Sequence, residues 1–185
     1  MIKDIIADAE DRMQKSVSSL ESAFNKIRTG RAHPGLLDGI LVSYYGTDTP
    51  LTQLANITVE ESRSLVIQPW ERGIIGDIEK AIMKSDLGLN PSNNGVHIRV
   101  PMPVLTEETR REYTKQAKHE AENARVAIRN IRRDANGDIK DLEKEKEISE
   151  DDQRRAEEQI QKLTDKYIAK VDADYHTKEQ DLLSI

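Results

Sequence analysis

Residues 106–142 read TEETRREYTKQAKHEAENARVAIRNIRRDANGDIKDL, and this stretch decides the fold. Thr106 is a good N-cap, and Glu107-Glu108 suit the positive end of a helix dipole. Apolar residues then recur at Ala117, Ala121, Ala124, Ile128, Ile131, Ala135, Ile139 and Leu142, in steps of three and four that keep them on one helical face. About 40 residues at ~1.5 Å each make a rod roughly 60 Å long. A rod with a single apolar stripe cannot bury it alone, so partners must lie elsewhere in the chain.

Two partners are legible. Downstream, Ser149 with Asp152 three residues on resembles a capping box, opening a helix with stripe Ala156, Ile160, Leu163, Tyr167 and Val171 that ends near Leu182. Upstream, Ile2, Ile5, Ala9, Met13, Ser16, Leu20, Ala23 and Ile27 form a third stripe, with the helix ending at Thr29-Gly30. The expectation is a long three-helix bundle.

Between residues 31 and 104 the pattern changes to short β-rich runs, 39–45, 65–67 and 96–100, broken by turn residues. One helix fits inside, about Ile74 to Asp86, with Gly88 as its terminator. The expected class is α+β: residues 1–30 and 105–185 form domain I, and residues 31–104 form a β/α/β domain II inserted between the first two rods. Two crossings then join the domains, one holding Gly30 and Pro34, the other Pro101 and Pro103. These breaker residues read either as a stiff hinge or simply as helix ends.

Composition agrees with long solvated helices: 34% of the 185 residues are charged and 4% aromatic. The chain has no cysteine, which excludes disulfides, thiolate metal sites and a cysteine nucleophile. No apolar run approaches the ~20 residues needed to cross a bilayer, so the chain reads as soluble and cytoplasmic.

A net charge of −6 argues at first against a nucleic-acid partner, but its distribution reverses that. From Arg110 to Arg133 there are eight basic residues and three acids, a local net of +5. On the helical wheel Arg111, Lys115, Lys118, Arg125, Arg129, Arg132 and Arg133 fall between about 40° and 140° from Arg110, beside the apolar stripe. Such a flank can be merely solvated, with arginine stems covering the core edge and pairing with acids on the third helix of the bundle. The excess is expected to be unpaired within its own helix, and arginine's planar fork suits phosphate oxygens, so a polyanion contact is the favoured reading. Arg129 and Arg132 are its expected centre, and Glu122 is its weak point.

The four histidines are scattered and suggest no metal site. No serine elbow, phosphate loop or dinucleotide glycine pattern appears, and no cofactor is expected. A non-enzymatic binding protein is the reading; the rivals are a coiled-coil adaptor and an RNA-processing enzyme.

Several ordered motifs are more specific: Lys26-Ile27-Arg28-Thr29-Gly30-Arg31-Ala32 followed by Leu36-Leu37-Asp38, Lys84-Ser85-Asp86-Leu87-Gly88-Leu89-Asn90-Pro91, Arg99-Val100-Pro101, and Leu105-Thr106-Glu107-Glu108. With residues 124–136 (ARVAIRNIRRDAN) and Lys162-Leu163-Thr164-Asp165-Lys166, the chain resembles the bacterial ribosome recycling factors over essentially its whole length. The resemblance implies an L-shaped, tRNA-sized monomer that, with elongation factor G and the GTP bound by that partner, splits the post-termination ribosome into subunits. It also implies that domain I lies on large-subunit rRNA through Arg110, Arg129 and Arg132, with Arg125, Arg133 and Lys118 beside them. The hinge it implies involves Thr29, Gly30, Arg31, Pro101, Pro103 and Thr106. Gly137, inside the long helix, departs from the family pattern and is expected to cost about 1 kcal/mol against alanine.

Overall fold

The computed structural model of the protein describes residues 1–183. Its long helices are α1 (Ile2–Asn25), α3 (Glu107–Lys144) and α4 (Glu150–Leu183); between α1 and α3 lie strands β1 (Leu41–Tyr44), β2 (Thr47–Pro50), β3 (Ala55–Glu60) and β4 (Ser64–Pro69), helix α2 (Ile75–Lys84), and strands β5 (Ser92–Asn93) and β6 (Ile98–Pro101). The described residues divide into two compact units, residues 1–24 with 114–180, and residues 25–113 with 181–183.

The first unit is helical. Ala117, Ala121, Ala124, Ile128, Ile131, Ala135 and Ile139 of α3 are buried, as their spacing predicts. In the same compact unit Ala9, Met13, Val17, Leu20 and Phe24 of α1 and Ala156, Ile160, Thr164, Tyr167 and Val171 of α4 are buried as well. The α1 stripe differs from expectation: Val17 and Phe24 are buried where Ser16 and Ala23 were anticipated. A seam stepping by four, four, three and four drifts around the helix, and the larger apolar side chains take the inner positions. In α4 Thr164 is buried where Leu163 was anticipated, against the order of size, and its hydroxyl is satisfied inside the helix by donating to the Ile160 carbonyl at 2.8 Å.

Both anticipated caps form. Thr106 Oγ1 accepts from the Thr109 N–H at 3.1 Å. At α4 the capping box is reciprocal: the Asp152 N–H donates to Ser149 Oγ at 3.1 Å, and the Ser149 N–H to Asp152 Oδ2 at 3.3 Å. The first helix, by contrast, stops at Asn25 rather than at Thr29-Gly30. Thr29 is buried with its hydroxyl accepting the Arg31 N–H at 3.3 Å, a local bond that competes with helix continuation, and Gly30 adopts φ 79°.

The second unit holds a β1-β2 hairpin and a four-stranded antiparallel sheet in the order β3-β4-β6-β5. Leu37, Val42, Leu51, Leu65, Ile67, Ile78, Ile82, Ile98 and Val100 are its most deeply buried residues. The anticipated run 39–45 contains β1, and the runs 65–67 and 96–100 overlap β4 and β6, whereas β2, β3 and β5 were not anticipated. Strand β3 lies at the sheet edge with only Ala55 fully buried, so it lacks a full apolar alternation. The β1-β2 turn places Tyr45 and Gly46 at φ 48° and 81°, a two-residue loop whose twist matches the strands. Helix α2 ends at Ser85, not through Gly88: the Ser85 N–H and hydroxyl both bond the Ile82 carbonyl, and Gly88 at φ 65° turns the chain three residues later.

The turn after β3 anchors both crossings. Ala32 N–H donates to the Ser62 carbonyl and Met102 N–H to the Arg63 carbonyl, each at 2.8 Å. These bonds leave residues 29–31 and 103–106 as the parts of the crossings outside that tie.

Gly137 lies in unbroken helix, and a Cβ built there meets nothing within 4 Å. Gly137→Ala should therefore stabilise the protein by about 1 kcal/mol, raising Tm by roughly 2–4 °C for a chain of this size. An unchanged or lower Tm would contradict an ordinary helical backbone at this position.

Candidate nucleic-acid interface

The basic stripe of α3 forms as a continuous helical face, because the seam that buries Ala117 to Ile139 fixes which residues point away from it. Its members are not equivalent. Arg125, only 21% exposed, reaches across to α4, where its Nη2 lies 2.7 Å from Asp172 Oδ1; its Nη1 lies 3.2 Å from Glu122 Oε2. Burial alone would lower the affinity of this guanidinium for its proton, but the bonds to Asp172 and then Glu122 outweigh it and raise the pKa. Arg125 is therefore committed to the α3–α4 joint.

Glu122 is shared. Its other oxygen sits 3.3 Å from Arg129 Nη1. Hydrogen bonds from Arg125 and then Arg129 hold the Glu122 carboxyl below its usual range, so it is ionised at neutral pH. The expectation that the arginine excess is unpaired within its helix is thus corrected: Glu122 engages two of the arginines, and Arg129 is among those compromised. Glu122 remains 54% exposed, however, so this triplet faces solvent and can be contested.

Among the described residues Arg132 hydrogen-bonds the neutral Gln161 Oε1 alone, at 3.4 Å. Lys115, Lys118 and Arg133 are exposed and form no ion pair with a described residue. The cations most open to an incoming phosphate are therefore Lys115, Lys118, Arg132 and Arg133. Arg110 is half-buried, since it follows the line of Ala117 seven residues on, and it belongs to the second compact unit, whereas the other five belong to the first.

The Arg125–Asp172 pair is what the solvated-flank reading allows, an arginine of the stripe paired with an acid on the third long helix, although local spacing does not identify a partner 47 residues away. One feature that governs this face was missed from the sequence. The Glu122–Arg129 contact spans seven residues, two helical turns, beyond the usual three- and four-residue pairs.

The residues anticipated as a hinge are distributed as follows. Thr29 and Gly30 are buried, and Arg31 Nε lies 3.7 Å from Asp181 Oδ1. Pro101 ends β6 opposite Ser64, Pro103 is exposed, and Thr106 caps α3. Among the described residues no group of three or more His, Asp or Glu could hold a metal ion, and no helix is long and apolar enough to cross a membrane.

Comparison with known proteins gives this geometry a family. The model described as Ribosome recycling factor matches residues 20–183. The chain is 65% identical over 185 residues to the ribosome-recycling factor of Marinomonas sp. (strain MWYL1). It is 62% identical to that of Hahella chejuensis; in both cases 100% of each chain is covered. Among solved structures, a solution structure of a ribosome recycling factor matches with TM-score 0.80 at 42% identity, covering 100% of this chain and 98% of that one. A T. thermophilus ribosome recycling factor, described with E. coli elongation factor G bound to the E. coli post-termination complex, matches with TM-score 0.73 at 47% identity, covering 99% of each chain. Matched over its whole length by relatives of this identity, the chain belongs to the ribosome recycling factor family of non-enzymatic translation factors.

Proposed function

We propose that this protein binds the post-termination ribosome and, with elongation factor G and the GTP hydrolysis of that partner, promotes its dissociation into subunits. The observation that carries this reading is full-length family membership, including a relative described with elongation factor G on that complex. It acts as a monomer in the cytoplasm, where both partners work. Post-termination ribosomes given elongation factor G and GTP should break down into subunits only when this protein is added; equal breakdown without it would remove the proposal.

Large-subunit rRNA is the surface that α3 meets, through Arg110, Lys118, Arg125, Arg129, Arg132 and Arg133. The exposed, unpaired Lys118 and Arg133 and the weakly held Arg132 support this reading. Each phosphate contact contributes a salt-dependent term, so Arg132→Ala and Arg133→Ala should each weaken large-subunit binding and flatten its logarithmic salt dependence by about 0.7–0.9 per lost contact. An unchanged affinity across the titration would sink the anchor.

Glu122 opposes the same contact, because its carboxylate sits where a phosphate oxygen would pair with Arg129. Glu122→Gln removes the competing charge and should tighten large-subunit binding by about two- to fivefold, the modest scale of a solvent-screened pair. Weaker binding, matching that of Arg129→Ala, would mean that Glu122 orients the arginines for RNA instead of competing with it.

The sheet domain, residues 31–104, swings under elongation factor G about Thr29-Gly30-Arg31 on one crossing and Pro101, Pro103 and Thr106 on the other. Support comes from the ties of Ala32 and Met102 to the β3–β4 turn, which confine movement to the few residues outside them. Pro103 is exposed, so Pro103→Gly loosens a crossing without touching the core. It should leave ribosome binding unchanged and slow subunit release; an unaltered release rate would show that stiffness at Pro103 is not limiting.

A further inference from the structure

An exposed aromatic cluster on the second unit lies outside the basic face. Tyr44 and Tyr45 pack edge to face with centroids 4.5 Å apart. Both hydroxyls donate to the Glu71 carboxylate, Tyr44 at 2.6 Å and Tyr45 at 3.4 Å. Trp70, the next residue back, is 68% exposed, and Tyr45 is 83% exposed. Between Tyr44 and Trp70 opens a cleft of about 270 Å³, floored by Leu54 and Ile74 and lined by Thr49, Gln53 and Glu71. The Trp70 N–H donates to the Leu54 carbonyl at 3.0 Å, which fixes one wall to the floor. At this size the cleft falls below the roughly 300–1,000 Å³ of small-molecule sites and suits one side chain.

We propose that this cleft receives an arginine side chain from an extended, basic segment of a partner protein. Glu71 is the only charged residue lining it. The two tyrosine hydroxyls occupy part of the capacity of a carboxylate that offers about four acceptor sites, so acceptor sites remain for a guanidinium fork. The aliphatic stem lies over Leu54 and Ile74, and the planar head stacks on Trp70 or Tyr44. Lysine fits less well because its ammonium has neither the fork nor the flat face. Nucleic acid is disfavoured by charge: from Ala32 to Ser62 there are four acids, Asp38, Asp48, Glu60 and Glu61, and no lysine or arginine. The Tyr44 hydroxyl stays a donor at any physiological pH, because the Glu71 hydrogen bond, then burial, pushes its pKa up to about 12. This proposal is independent of whether α3 rests on rRNA.

Trp70 is the only tryptophan in the chain, so its fluorescence reports on the cleft directly. The full-length protein is titrated with N-acetylarginine methylamide, its lysine and glycine counterparts, and a short oligouridylate. A saturable change is expected with the arginine compound, with Kd on the order of millimolar for a single side chain, and a weaker one with lysine. Glu71→Gln should weaken the arginine response at least about tenfold, as loss of a charged hydrogen bond implies, with melting unchanged. No saturable arginine response, an equal response in Glu71→Gln, or tighter binding of lysine or oligouridylate would each overturn the proposal.

Discussion

Burying one side of α3 is the constraint from which the rest of the molecule follows. A single helix of 38 residues cannot hide an apolar stripe within itself, and this one carries Ala117, Ala121, Ala124, Ile128, Ile131, Ala135 and Ile139 on it. Each buried isoleucine contributes on the order of 1.5–3 kcal/mol when removed from water. The alanines contribute less by area but admit α1 and α4 closely enough to exclude it. Because α1 precedes the sheet unit in sequence while α3 and α4 follow it, satisfying the stripe obliges the chain to leave the bundle and return. The chain order thus places the sheet unit between the first two long helices.

Apolar seams of small and branched residues slide easily, and polar links between the helices fix their register. Each pair of long helices has one: Arg12 to Asp134 at 3.2 Å between α1 and α3, Tyr167 to Glu10 at 3.2 Å between α1 and α4, and Arg125 to Asp172 at 2.7 Å between α3 and α4. Each keeps at least one partner open to solvent, where such a link adds little strength, so their role is alignment more than strength. One of them draws on the basic stripe. The +5 counted along α3 overstates what that face can offer, because Arg125 serves the joint, Arg129 shares Glu122, and Arg111 pairs with Glu107 at 2.8 Å.

Legibility in the sequence followed the range of the interactions. Caps at Thr106 and Ser149 were readable because capping is settled within four residues. The α3 seam was readable because seven core positions repeat the same two steps. The stripe of α1 was read one position off at Val17 and Phe24, where side-chain size, not spacing, decided what went inside. Strands β2, β3 and β5 were missed because edge and two-residue strands bury too little to impose alternation. At the candidate interface the stripe itself was visible, but its hierarchy was not. Glu122 could be seen as a weak point, yet only the fold brings Asp172 to Arg125 and separates committed cations from available ones.

That hierarchy bears on how an acidic protein can meet a polyanion selectively. Opposite signs are segregated along the chain: the stripe is basic, while residues 32–62 carry four acids and no lysine or arginine. At physiological ionic strength charges act over about 8 Å, so an approaching phosphate surface responds to the local patch and not to the total of −6. Under the rRNA contact proposed above, Glu122 would make that contact conditional on a phosphate placed well enough to displace its carboxylate from Arg129. Weak intrinsic attraction, raised only by a matched arrangement of phosphates, suits a factor that must bind one state of its target and then leave.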